Sequence, residues 1–380
     1  MAGIYFHIPF CKRMCGYCDF VRTTVLRHAA PAVARMEEEL VQRAGFVTDR
    51  CAETIYFGGG TPSVLPAEDI ARLIARTREV FDCSAVREIT VEMNPDDVTP
   101  EYARRLMLAG VNRISLGVQS LDDRALQFMG RRHTAAGARQ AVATLQGEGV
   151  GNISADMIFG LPAAIWDGSA AAGADALRRT LDGMLTMGVQ HISAYHLTIE
   201  DDTRFGRMAA RGGLTPVPEE QSEREYAEVH RALTAAGFEH YEVSNYALPG
   251  FRSQHNSAYW TGAQYLGIGP GAHSYNGGER CWCTSTVEEY AGGGAQWESE
   301  RLSPKERQNE YVMTSLRRAE GLSMPLFRQM FGNEAAQRLL QSALPFIRAG
   351  IAVDEEGERI RIASDKFLVS DAVISTLFEV

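Results

Sequence analysis

Six short runs rich in β-branched and aromatic residues recur through the first half of the chain, at residues 3–8, 53–59, 88–94, 113–119, 153–160 and 191–197. Stretches compatible with helices lie between them, at 31–46, 67–80, 100–109, 134–148 and 169–187. Several are entered through Pro, Ser, Thr or Asp and left through Gly, the residues that start and stop helices. Alternation of this kind builds repeated βα units around a parallel sheet. Six units are too few for a closed eight-stranded barrel, so the fold class expected is α/β, with a partial (β/α)6 barrel. In such folds the chemistry sits at the carboxyl ends of the strands. Polar or glycine-rich residues follow the strands there: "GGGTP" at 58–62, Glu92, Asn94, Gln119, Asp156 and His196.

The pattern changes after residue 212, with a "GGLTPVPEE" joint, a helix near 218–236 and Gly/Tyr-rich loops through 294. From 303 onward "SPKERQNEYVMTSLRR" reads as a capped helix, and two more helices lead to two short strands about a Glu-Glu-Gly turn in "GIAVDEEGERIRIA". Helices followed by a hairpin predict a C-terminal α+β, winged-helix-like module. Its acidic turn argues against the DNA binding that such modules often perform.

With 380 residues, 45% of them hydrophobic, the chain can bury a large core in two or three domains. A formal charge of −10 gives no phosphate-binding footprint, so no nucleic-acid partner is expected. The opening "MAGIYFHIPF" has no basic segment followed by an apolar one, and no window approaches the ~18 apolar residues of a membrane span. A cytoplasmic location is expected, not an integral membrane protein. Oligomeric state is left open, a homodimer included. The seven cysteines are an odd count in a long chain, which argues for reduced thiols rather than a disulfide scaffold.

Three of those thiols, Cys11, Cys15 and Cys18, fall within eight positions in "YFHIPFCKRMCGYCDF". The spacing Cys-x3-Cys-x2-Cys supplies three sulfurs from one flexible segment, enough to hold a 4Fe–4S cubane with one iron left open. A structural zinc site would want a fourth ligand, and His7 is expected to lie back in the first strand. A redox Cys-x-x-Cys pair would leave Cys11 without a role. Cys51, Cys83, Cys281 and Cys283 read as inert buried thiols.

The three-cysteine loop resembles the signature of the radical S-adenosylmethionine enzymes. The strings "HIPFC", "YCDF", "FGGGTPS", "VEMNP", "GVQSLDD", "GRRH" and "DMIFGLP" occur in the order found in one group of that family, the oxygen-independent coproporphyrinogen III oxidases and their haem-chaperone branch. The resemblance covers nearly the whole chain. It implies a core at 1–212, a connecting region with a haem-binding loop at 213–302 and a C-terminal module at 303–380. It also implies that the open iron binds S-adenosylmethionine, whose sulfonium is cleaved by one electron to a 5′-deoxyadenosyl radical, the protein positioning the cofactor. By position, Gly59, Gly60 and Thr61 correspond to the turn at the methionyl amino end. Glu92, Gln119 and Asp156 correspond to contacts at and around the ribose, and Arg131 to the partner of the carboxylate. Tyr5 and Tyr17 would flank the cluster and the adenosyl group.

Two positions separate the branches. The oxidase carries a further cysteine where this chain has Phe20, and a long N-terminal extension where this chain reaches its first strand at once. Both departures weaken the reading as an enzyme that decarboxylates coproporphyrinogen to protoporphyrinogen IX. "HNSAYW" at 255–260 resembles a motif of the haem-chaperone branch. A neutral His255 can ligate haem iron, and Tyr259 and Trp260 offer flat apolar faces to a porphyrin. His273, in "YLGIGPGAHSY", is a weaker candidate ligand. The function expected is a carrier that binds a cluster, S-adenosylmethionine and haem, and hands haem to an accepting protein.

Overall fold

Alternating side-chain direction along the strands sets the central sheet. In β1 (Ala2–Ile8) the side chains of Ile4, Phe6 and Ile8 are fully buried in the main hydrophobic core, whereas Tyr5 and His7 point the other way and contact each other. The structure, a computed structural model, describes residues 2–379. β2 (Ala52–Gly59), β3 (Glu88–Met93), β4 (Arg113–Gln119), β5 (Ile153–Phe159) and β6 (His191–His196) follow β1 in parallel register, each beside its predecessor. Helices 29–43, 67–80, 100–109, 135–147 and 170–186 connect them. All seven positions of β4 are buried, the near-continuous burial expected of a strand covered on both faces. The expected partial barrel is present, with one more helix, Asp123–Met129, capped by the Asp122 carboxylate.

The expected loops of the middle region are in part strands. β7 (Glu239–Glu242) and β8 (Asn245–Ala247) form an antiparallel pair against β6. At the opposite edge β9 (Gln264–Ile268) joins β1 in parallel, and β10 (His273–Tyr275), β11 (Glu279–Cys283) and β12 (Trp297–Arg301) continue it as antiparallel neighbours. The open sheet has twelve strands in the order β12-β11-β10-β9-β1-β2-β3-β4-β5-β6-β8-β7. These edge strands are three to five residues long. They are too short for a period-two pattern to stand out from their glycines.

Glu39, fully buried in the first helix, fixes that edge. Its carboxylate accepts from the Gly269 N–H at 3.1 Å, from the Trp297 indole at 3.3 Å and from the Tyr290 hydroxyl, and pairs with Arg43 at 2.8 Å. Four donors from separated segments replace the water that a buried charge loses.

In the C-terminal part, helices 304–316, 324–331, 333–348 and 370–376 accompany a small antiparallel sheet of β13 (Leu322–Ser323), β14 (Ala352–Glu355) and β15 (Arg359–Ile362), in the order β13-β15-β14. The expected cap is a reciprocal box between Ser303 and Glu306. Val243 N–H donates to the Arg317 carbonyl and Ala319 N–H to that of Tyr241, both at 3.0 Å, so main-chain bonds join this part to β7. Among the described residues no helix is long and apolar enough to cross a membrane.

Candidate functional site

The thiols sit on a loop closed at its base, where Thr23 N–H donates to the Pro9 carbonyl at 2.7 Å and Cys11 N–H to that of Thr23 at 2.9 Å. Gly16 ties the far side down, donating to the Met129 carbonyl and accepting from Phe205 N–H, each at 2.9 Å. Lys12 reaches the buried Asp97 at 2.5 Å, and Asp97 also accepts from Ser63 Oγ at 2.8 Å. The glycine turn after β2 presses against the loop base: Gly60 N–H donates to the Ile8 carbonyl, and a Cβ on Gly60 would stand 2.9 Å from that oxygen. Only glycine permits that approach. It brings Thr61 Oγ1 to 3.5 Å from Cys11 Sγ.

From β4 and its following helix comes the counter-charge. Arg131 donates through Nη2 to Asn94 Oδ1 at 2.6 Å and to the Gly117 carbonyl at 2.8 Å, which leaves Nη1 3.5 Å from Cys15 Sγ. Arg22 holds the carbonyls of Cys18 and Phe20. Burial pushes the Cys11 and Cys18 thiols above their ordinary range, and the Arg22 guanidinium opposes this at both. Thiolates at this loop therefore depend on its arginines and on whatever metal it holds.

A cavity of about 370 Å³ opens beside the thiols. Cys11, Cys15, Cys18, Tyr17, Gly59, Gly60, Thr61, Glu92, Gln119, Arg131 and Asp156 all line it, together with Asn94, Phe20 and Tyr195. Glu92 accepts from the Tyr56 hydroxyl at 2.8 Å and from Gly59 N–H at 3.2 Å; burial still pushes its carboxyl up to about 7. Asp156 accepts from Ser115 Oγ at 3.3 Å, and burial pushes it up to about 6. A cavity with thiols at one end, a guanidinium beside them and two buried carboxyls along one wall can take a ligand that carries a carboxylate and several hydroxyls.

Tyr5 is not at that cavity. It lies inside the barrel, its ring 6.1 Å from Tyr56 and 6.3 Å from His255. His255, Tyr259 and Trp260 belong to the helix Gln254–Trp260, at the other end of the strands. Glu88, at the start of β3, accepts from the N–H groups of Gln254 and His255 at 2.9 and 3.0 Å. The His255 ring is buried and stacks on Tyr56 at 5.0 Å; Nδ1 is 2.7 Å from Thr54 Oγ1 and Nε2 is 2.8 Å from the Tyr259 hydroxyl. In this conformation neither ring nitrogen is free for a metal. Trp260 lies under the Arg317 guanidinium, 5.6 Å from ring to charge. Sequence reasoning passed over Tyr56, Ser115 and Arg22. The first two stand two or four residues from a strand's polar end, so a period-two count backward from Gly58 and Gln119 finds them.

The radical SAM superfamily profile matches residues 5–167, and the HemN C-terminal domain profile matches residues 302–364. The heme chaperone HemW of Lactococcus lactis is 34% identical over 379 residues, spanning 97% of both chains. This chain belongs to the HemW family of radical SAM proteins. The heme chaperone HemW of Mycobacterium tuberculosis is likewise 34% identical, over 99% of this chain and 94% of that one. The solved coproporphyrinogen III oxidase HemN of Escherichia coli shares the fold, with a TM-score of 0.82 over 99% of this chain and 90% of that one, at 21% identity. Membership of the radical SAM family implies a 4Fe–4S cluster and S-adenosylmethionine. The HemW-family residues present here suit both groups. Among the described residues no three of His, Cys, Asp and Glu converge as a single ion requires. A cubane does not ask for that convergence, because each thiolate binds its own iron.

Proposed function

We propose that this chain is a cytoplasmic haem carrier, which holds a 4Fe–4S cluster on Cys11, Cys15 and Cys18, binds S-adenosylmethionine in the adjoining cavity and passes haem to an accepting protein. The observation that carries the reading is near-full-length similarity to proteins named heme chaperone HemW, at 34% identity. Phe20, where the oxidase group has a cysteine, supports the same side.

When bound, the cluster supplies a one-electron donor beside the sulfonium. The chain's own residues bind and orient. Arg131, whose Nη1 already faces Cys15, offers the same edge to the methionyl carboxylate. The Gly59–Gly60–Thr61 turn lets main-chain groups close on the amino end, and Tyr17 covers the cavity near Cys15. Glu92, Gln119 and Asp156 receive the ribose and its surroundings, the carboxylates accepting hydroxyl protons in hydrogen bonds. The packing of His255, Tyr259 and Trp260 supports a scaffold role for that motif, since ligation through His255 would require Thr54 and Tyr259 to release it.

The test pairs two measurements on the anaerobically reconstituted protein. Haem-loaded protein mixed with an apo-haemoprotein should lose its haem band as the acceptor's appears. The same preparation given coproporphyrinogen III, S-adenosylmethionine and a reductant should form no protoporphyrinogen. Porphyrin product at a catalytic rate would replace the carrier by an oxidase.

A further inference from the structure

The chain has nine histidines, and most are committed inside the protein. Both ring nitrogens are engaged in His7, by Tyr5 and Val21; in His191, by Ser154 and Tyr241; in His240, by His230 and Val243; and in His255. His133 bonds the Val118 carbonyl and His196 the Ser222 hydroxyl, while His28 is half-buried. His273 alone is exposed, and neither of its ring nitrogens has a hydrogen-bond partner among the described residues.

Its surroundings are organised. His273 opens β10 directly across from Trp282 in β11, and the two rings stack with centroids 5.8 Å apart and planes at 19°. The turn before it is held by Glu39 through Gly269, and a Cβ on Gly271 would stand 2.7 Å from the Val21 side chain. Val21 and its neighbour Phe20, on the cluster loop, are 43% and 61% exposed. An unpartnered imidazole, an indole stacked on it and two exposed apolar side chains from a second element therefore share one rim of the barrel mouth. Partial burial and the nearby Arg280 lower the proton affinity of His273, against Glu300, so the neutral, metal-binding form prevails at neutral pH.

We propose that His273 is the axial ligand through which the carried haem is held, on the rim formed by Trp282 and Val21. This rests on the carrier reading. Trp282, stacked on the imidazole, would hold the ring plane of His273 and offer an aromatic apolar surface to the macrocycle. Val21 and Phe20 extend the apolar contact toward the cluster loop. One protein nitrogen at an open rim leaves the second face of the haem accessible, which is what an acceptor needs in order to take it.

Ferric haem is titrated into the full-length wild type and into His273→Ala, Trp282→Ala and His255→Asn, reading the Soret band and the low-temperature EPR spectrum. His273→Ala should lose the histidine-ligated spectrum and bind at least about tenfold more weakly, while keeping its iron–sulfur content. Trp282→Ala should keep the ligated spectrum and bind more weakly. An unchanged spectrum and affinity in His273→Ala, or a spectrum that changes with His255→Asn instead, overturns the assignment and leaves the carrier reading standing. A wild type that binds no haem overturns both.

Discussion

Glu92 is a carboxyl group held where its charge is costly. Burial raises it from 4.5 to about 7, although Tyr56 and Gly59 both donate to it. The folded protein therefore keeps this proton to a higher pH than the unfolded chain does, and between those values the native state binds more protons. Stability is then lost as pH rises through that window: there is no penalty below the unfolded value and a full one above the folded value. In the protein free of S-adenosylmethionine, the thermal midpoint of the wild type should fall relative to Glu92→Gln as pH rises from about 5 to 8. A gap between the two that does not vary with pH would locate the cost elsewhere. At this scale the sequence was informative where chemistry and position coincide. Glu92 and Gln119 stand at or next to strand ends, Asp156 lies within β5 and Arg131 just past the helix Asp123–Met129, and all four line the cavity. Tyr56 and Ser115 escaped notice because an aromatic or a serine inside a strand is ordinary until the facing carboxylate is known.

Among the elements, the cluster loop depends on glycines that sequence alone cannot rank. A Cβ on Gly16 would stand 2.4 Å from the Phe205 ring and 2.7 Å from Arg204, and Phe205 is fully buried, so the ring has nowhere to move. Overpacking of this kind costs about 1–3 kcal/mol, and the exposed loop yields more readily than the core does. Gly16→Ala should therefore keep the far-ultraviolet circular dichroism of the wild type while iron and sulfide recovered after reconstitution fall sharply. Full cluster content in that variant would show that the loop tolerates the displacement. The parallel strands and their helices were legible because each is long enough to show its period. The edge strands were not, since their placement is decided by partners distant in sequence, such as β1 for β9 and Glu39 for the turn before β10. The helix Gln254–Trp260 illustrates the same limit: its motif suggested a ligand, whereas Glu88, Thr54 and Tyr56, supplied by β2 and β3, decide what His255 touches.

The largest scale concerns how the C-terminal part joins the barrel. Val312, Leu316, Phe327, Phe367 and Ile374 belong to the same hydrophobic cluster as Ile4, Phe57, Leu233 and Tyr246, with no apolar boundary between them. Tyr226 donates to the Ser364 carbonyl at 2.6 Å, and the His240 ring meets Phe367 edge-on at 5.1 Å. Trp260 bridges the junction, lying against Arg317 and beside Glu242, whose carboxyl is pushed by burial up to about 7. A junction with main-chain bonds, a shared core and a half-buried aromatic bridge resembles a domain interior more than the polar contacts that let domains move. The sequence divides the chain at this point because composition and motif change there, yet cooperativity follows burial. Heating the full chain should therefore give one transition, with far-ultraviolet circular dichroism and tryptophan fluorescence coinciding. Arg317→Ala should lower that single midpoint for both probes together, by the few degrees that loss of about 1 kcal/mol produces in a chain of this size. Separate midpoints, with the fluorescence change preceding loss of helix, would mean that the two parts unfold independently despite their common core.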